Sequence, residues 1–180
     1  MRQTRSAIVH SFNGMVLQRP YDAIQVGEIA GQAGVGRSTF YEHFRDKDAL
    51  LKHAVSGLLG VLADAVTERA DRAKIEHVLR HFWDNRRAAR ARFSGDSRSQ
   101  VSRWLADLIE ARLRSGDGGS ALRIPSNLAA AQIADAQIGL IRAWLEGDGA
   151  CASDSAARAL HATSAAMVEA LRATNTAGAA

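Results

Sequence analysis

Apolar residues recur at three- and four-residue intervals along nearly the whole chain, the spacing that lines one face of an α-helix. Ile8, Phe12 and Met15 predict an amphipathic helix over 6–19, ended by Arg19 and Pro20. Two short patterns follow within 25–47. Leu51, Val55, Leu58, Leu62 and Ala65 then predict a long fourth helix with Asp46 as its N-cap. Gly57 and Gly60 inside it point to close helix packing or local give. After a polar break near Asp71 to Lys74, Ile75, Val78, Leu79, Phe82 and Trp83 form a fifth stripe. An arginine-rich sixth helix and turn cover 86–103, and a seventh helix from about Ser99 carries Val101, Trp104, Leu105, Leu108 and Ile109 on one side. Ser126 is expected to cap an eighth helix bearing Ile133, Ile138, Ile141, Trp144 and Leu145, with Gly147 as its stop. A ninth presents Leu160, Ser164, Met167, Val168 and Leu171. The expectation is an all-α fold of about nine helices. The glycine run 116–119 stops the seventh helix, the loop from there to Pro125 reads as mobile, and residues 174–180 read as a fraying end.

The stretch 25–47, QVGEIAGQAGVGRSTFYEHFRDK, organises the rest because two short helices meet there at a glycine turn. Ile29, Ala30 and Ala33 give the first an apolar stripe, and Gly34 stands where a helix end needs positive φ. Val35 plugs the angle. Gly36 is a weak N-cap for a second helix, Arg37 to His43, under which Phe40 and Phe44 tuck. The outer face of that helix holds Arg37, Ser38, Thr39, Tyr41, Glu42 and His43, rich in hydrogen-bonding groups and poor in aliphatics. Such a face suits the DNA major groove, where Arg addresses guanine and Ser or Thr bonds either base; Tyr41 and Lys47 suit phosphates. The same residues would also serve as an ordinary solvated face.

The segment IAGQAGVGRSTFYEHFRDKDALL resembles the signature of the TetR family of transcriptional regulators. Ile29, Ala30, Ala33, Gly34, Val35, Thr39, Phe40, Tyr41, Phe44, Lys47 and Leu50 fall where that motif has the same or a similar residue, and Tyr21, Asp22 and Ala23 also fit. The resemblance covers about the first third of the chain. It departs at Gln25, where the family usually has Thr, and at Gly36, where it usually has Ser; both substitutions weaken caps that also hold phosphate. The resemblance implies an N-terminal helix-turn-helix DNA-binding domain over 1–47, with Gln25, Val26, Arg37, Ser38, Thr39, Tyr41, His43 and Lys47 at the DNA. It also implies a helical effector-binding and dimerisation domain over 48–180. In that domain the effector would be small and apolar or amphipathic, held by Phe82, Trp83, Trp104, Leu108 and Trp144. The last two helices, 126–173, would pair two copies through Ile133, Ile141, Leu145, Leu160, Met167 and Leu171. The resulting homodimer would place two recognition helices about 34–36 Å apart on a pseudo-palindromic operator.

Composition refines this picture without deciding it. At 180 residues and 47% apolar content the chain can bury a sizeable core. The net charge of +4 allows a nucleic-acid partner, but residues 1–55 carry no more of it than the remainder does. A single cysteine, Cys151, excludes an intrachain disulfide framework and fits a reducing compartment, with the cytoplasm as the expected location. No run of apolar residues reaches membrane-spanning length, so no membrane partner is expected.

Other chemistry is thin. His77 and His81 have the i, i+4 spacing of a metal pair but lack an HExxH arrangement, so a surface pair is expected. Arg86, Arg87, Arg90, Arg92, Arg98 and Arg103, opposed only by Asp96, form either a solvated face or a contact for an anion or for DNA. The tryptophans are either core filler or a cavity lining. With no Gly-rich phosphate loop and no base near Cys151, neither an enzyme nor a cofactor is expected. The remaining rival is a ligand-binding or interaction protein of the same fold that reads no specific DNA.

Overall fold

The computed structural model describes residues 2–93, 95–115, 122–147 and 151–172, and among them the chain is built from nine α-helices. The predicted glycine stop at 116–119, the first part of the loop to Pro125 and the fraying end at 174–180 lie outside the described residues.

Helices α1 (Arg2–Gln18), α2 (Val26–Gln32) and α3 (Arg37–His43) close around Ile8, Phe12, Ile24, Ile29, Phe40 and Phe44, all of them buried. A short 3-10 turn, Tyr21–Ala23, joins α1 to α2. The turn between α2 and α3 forms as the sequence requires. Gly34 adopts φ 69°, and the N–H of Val35 reaches back to the carbonyl of Ala30 at 2.9 Å, which closes the end of α2. Gln25 proves less of a handicap than expected. The Glu28 carboxylate accepts from the Gln25 backbone N–H at 2.8 Å, so the acid three residues in supplies a cap bond to the helix start. Glu28 also meets Arg19 at 2.9 Å.

Helix α4 (Lys47–Asp64) begins at Asp46, whose carboxylate accepts from the N–H of Ala49 at 2.7 Å. It runs from the N-terminal helices into the rest of the chain, burying Leu51, Val55, Leu59 and Leu62; Leu58 is only half-buried. Gly57 and Gly60 face open space, where an added Cβ would meet nothing within 4 Å. Close packing within the chain is therefore not what glycine serves there.

Asp71 caps α5 (Arg72–Asp84) through the N–H groups of Ala73 and Lys74. The arginine-rich stretch divides into α6 (Arg86–Arg92) and α7 (Gly95–Ser115), so α7 starts earlier than Ser99. Helix α7 packs between α4 and α8 (Ser126–Glu146), while α9 (Ser153–Leu171) lies against α5 and α8. Ser126 is the first residue of α8 and does not cap it; its hydroxyl bonds the Glu110 carboxylate at 2.9 Å. Gly147, at φ 88°, ends α8 as predicted. The stretch just before α8 is tied down. Leu122 pairs antiparallel with Arg172, and the Arg123 N–H donates to Leu171 at 2.9 Å.

Ile133, Ile141, Leu145 and Leu160 have no exposed surface, which corrects their assignment to a dimer contact. They fill this chain's own core, because an apolar stripe reports burial and not what it is buried against. Met167 and Leu171 are half-buried.

Three outcomes follow from these local geometries. Gly34→Ala should lower stability by about 1–2 kcal/mol, the cost of a Cβ in the left-handed region, whereas Gly57→Ala should raise it by about 0.5–1 kcal/mol. Urea unfolding followed by circular dichroism measures both. Asp46→Ala should cost about 1 kcal/mol at neutral pH. The Ala49 N–H, and then Arg45, hold the Asp46 carboxyl below its ordinary range, so its contribution is complete above the unfolded carboxylate value and is lost as pH falls through the folded one. The gap between wild type and variant should therefore narrow below about pH 4.

Candidate nucleic-acid interface

Helix α3 carries its polar face outward. Arg37, Ser38, Tyr41 and Glu42 are exposed, Tyr41 by 54%, while Thr39 and His43 are half-buried at its flanks. The helix is held from below by Phe40, whose ring meets Phe44 at 6.0 Å and Tyr41 edge-on at 5.4 Å. Gln25 and Val26, exposed and half-buried, stand at the start of α2. The guanidinium of Arg37 lies across Gly27 of α2, where an added Cβ would make the flexible arginine tip shift aside. This approach of α3 to the start of α2 is one that no helical spacing signals, because glycine within a helix reads only as a weakness.

Lys47 is occupied elsewhere. Its ammonium donates to the carbonyls of Tyr21 at 3.0 Å and Ile24 at 2.9 Å and lies 4.1 Å from the centre of the Tyr21 ring. A group with two of its three N–H bonds so engaged ties the 3-10 turn to α4. Tyr21 in turn donates to Asp48, and Gln100 of α7 donates to the other oxygen of Asp48 at 3.2 Å. Burial, and then Asp48, push the Tyr21 hydroxyl well above its ordinary value, so it remains a proton donor.

The predicted effector residues do not come together. Trp83 and Trp144 pack against each other with centroids 5.0 Å apart, and the Trp144 indole donates to the Cys151 carbonyl at 2.9 Å. Trp104 lies apart from them, half-buried beneath Lys52, and Leu108 is half-buried on α7. Of the five, only Phe82 lines an apolar cavity among the described residues that opens between α1, α4, α5, α6 and α7. Helix α4 supplies Val55 and Leu59 to its wall, and α7 supplies Val101. Opposite them stand Ala88, Ala89 and Phe93, with Leu17 from the last turn of α1. His81 and Asn85 form its one polar edge. Sequence reasoning missed this site because its room is made by two alanines, which leave no periodic signal.

The arginine-rich segment is partly spent on structure. Arg90 donates to the Leu145 carbonyl at the end of α8, at 2.7 Å from Nε, and Arg86 lies 5.6 Å over the Trp83 ring. His77 and His81 are both exposed. Among the described residues no three metal-ligating side chains converge, and no helix is long and apolar enough to cross a membrane.

Residues 4–54 match the model of the family described as bacterial regulatory proteins, tetR family. The transposon Tn10 TetC protein of Escherichia coli is 26% identical over 87 residues, which make up 46% of this chain and 44% of that protein. The chain thus aligns with less than half the length of this relative. Over nearly the whole chain the fold is similar to that of a TetR-family regulator from Streptomyces coelicolor A3, with a TM-score of 0.61 at 22% identity, covering 94% of this chain and 96% of that one. It is also similar to NalD, the secondary repressor of the MexAB-OprM multidrug efflux pump in Pseudomonas aeruginosa, with a TM-score of 0.56 at 18% identity and 98% of each chain covered. The match over α1 to the first turns of α4 is to the tetR family of bacterial regulatory proteins, and over nearly its whole length the chain shares the fold of TetR-family regulators.

Proposed function

We propose that this chain is a transcriptional regulator that reads double-stranded DNA as a homodimer and, acting as a repressor, releases its operator on binding a small apolar or amphipathic molecule. The observation that carries the reading is the outward polar face of α3, braced by a buried aromatic pair and set at a glycine turn. Arg37, Ser38 and Thr39 are the base-reading groups, Tyr41 and His43 flank them, and Gln25 and Val26 approach the backbone from the start of α2. Lys47 acts behind them as a positioning residue. The functional division lies at 47/48, although one apolar core runs through α4 across it.

One short helix reads few base pairs, so discrimination within a genome needs a second copy. The paired surface is the outward side of α8 and α9. There Leu128 is 55% exposed, and Ala131, Ala136, Ala162 and Ala166 leave room for close helix approach. NalD is the secondary repressor of a multidrug efflux pump, and repression is carried over from it, while the small-molecule effector is what the family resemblance implies.

Selection of bound duplexes from a random pool should return a motif with two inverted half-sites whose centres lie about 34–36 Å apart. On that duplex Arg37→Ala should weaken binding by about 1–3 kcal/mol, or roughly 5- to 150-fold. Lys47→Ala should lower thermal stability while leaving the salt dependence of binding unchanged. A drop of about one in the salt slope with stability intact would instead make Lys47 a phosphate ligand. Recovery of no shared motif would remove the DNA reading.

A further inference from the structure

The cavity between the last turn of α1 and α6 takes no part in the DNA-reading face, and its chemistry is selective. Its free interior is about 40 Å³. Since roughly 10–15 Å³ of such space holds one water, it matches the room of about three waters, comparable with a single six-membered ring. Phe82 and Phe93 meet edge-on at 5.2 Å on one side, and Ala88 and Ala89 leave the space beside them unfilled. No acidic or basic side chain other than His81 faces it, so an ion entering would lose water without gaining a partner. At the polar edge the Asn85 amide nitrogen donates to the His81 carbonyl at 2.9 Å and lies 3.4 Å from the His81 Nδ1, which leaves its oxygen to accept from one hydroxyl of a guest.

We propose that this seam cavity, and not the tryptophan cluster, is the effector site, and that it takes a small neutral molecule with an apolar ring and one hydroxyl. The word effector rests on the regulator reading above; the binding site does not. Leu17 is 45% exposed although large and apolar, and it belongs to the same helix whose Met15 and Val16 are buried in the N-terminal core. A guest seated here touches α1 on one side and α6 on the other. Its binding energy therefore depends on their separation, which is what a ligand needs in order to shift one arrangement against another. The Trp83 and Trp144 rings are instead stacked on each other, with Trp83 38% exposed at the surface.

Titration of the full chain with p-cresol and with toluene, followed by ligand-detected NMR, tests the assignment. Both should bind saturably. Ala88→Phe, which fills the cavity, should weaken both at least tenfold, and Asn85→Ala should weaken p-cresol while leaving toluene unchanged. Trp83→Phe should alter neither. Circular dichroism establishes that each variant is folded, and if Ala88→Phe is not, the p-cresol against toluene contrast in Asn85→Ala decides. Absence of saturable binding, unchanged binding in folded Ala88→Phe, loss of toluene in Asn85→Ala, or loss of both probes in Trp83→Phe would overturn the proposal. The recovered duplex is titrated separately. Probe binding without duplex binding upholds the cavity and removes the regulator reading; duplex binding without probe binding does the reverse.

Discussion

The first turn of α4 is the joint on which the arrangement depends, and three consecutive charged residues make it. Asp46 caps the helix, Lys47 draws in two carbonyls of the 3-10 turn, and Asp48 joins Tyr21 on one oxygen to Gln100 on the other. Each bond is modest alone, since an exposed charged contact contributes little. Their effect is geometric. Together they set how the three N-terminal helices sit against α7, and so the angle at which α3 is presented. A mechanism that moves α3 has to strain or break this joint, or act through the packing of α1 on α4 and α6.

Helix α1 meets α6 along one side of the cavity, and α6 is anchored in turn by Arg90 on the last carbonyls of α8. The C-terminal bundle is further braced by Arg112 on Asp64, at 2.8 Å between α7 and α4, and by the buried Gln137 amide, which bonds the Leu62 carbonyl and the Ser164 hydroxyl. The three-helix unit and the bundle thus meet at a polar joint and along the cavity, with one apolar core running through α4 across both.

The helix-turn-helix was legible because everything that makes it is local. Gly34 needs positive φ, Phe40 and Phe44 are a turn apart, and α3 runs from Arg37 to His43 as the pattern predicts. The C-terminal helices were legible as helices, yet their partners were not: the stripe through Ile133, Ile141, Leu145 and Leu160 looks the same whether it faces its own core or a second copy. The structural part played by Lys47 was hidden for a related reason. Its charge is visible in the sequence, but the carbonyls that hold it lie 23 and 26 residues away and depend on the tertiary fold. The cavity was invisible because a void is defined by what small residues fail to fill, and the bulky tryptophans drew attention elsewhere.

The aromatic residues divide the molecule by wavelength. The two tyrosines, Tyr21 and Tyr41, belong to the joint and to α3, while the three tryptophans, Trp83, Trp104 and Trp144, lie beyond α4 on α5, α7 and α8. Indole emission consequently reports chiefly on the bundle, with Trp104, beneath Lys52 of α4, the emitter set beside the joint. Because Trp83 and Trp144 share a stack, two of the three emitters respond as one, and the phenol ultraviolet band is the native optical handle on the reading end.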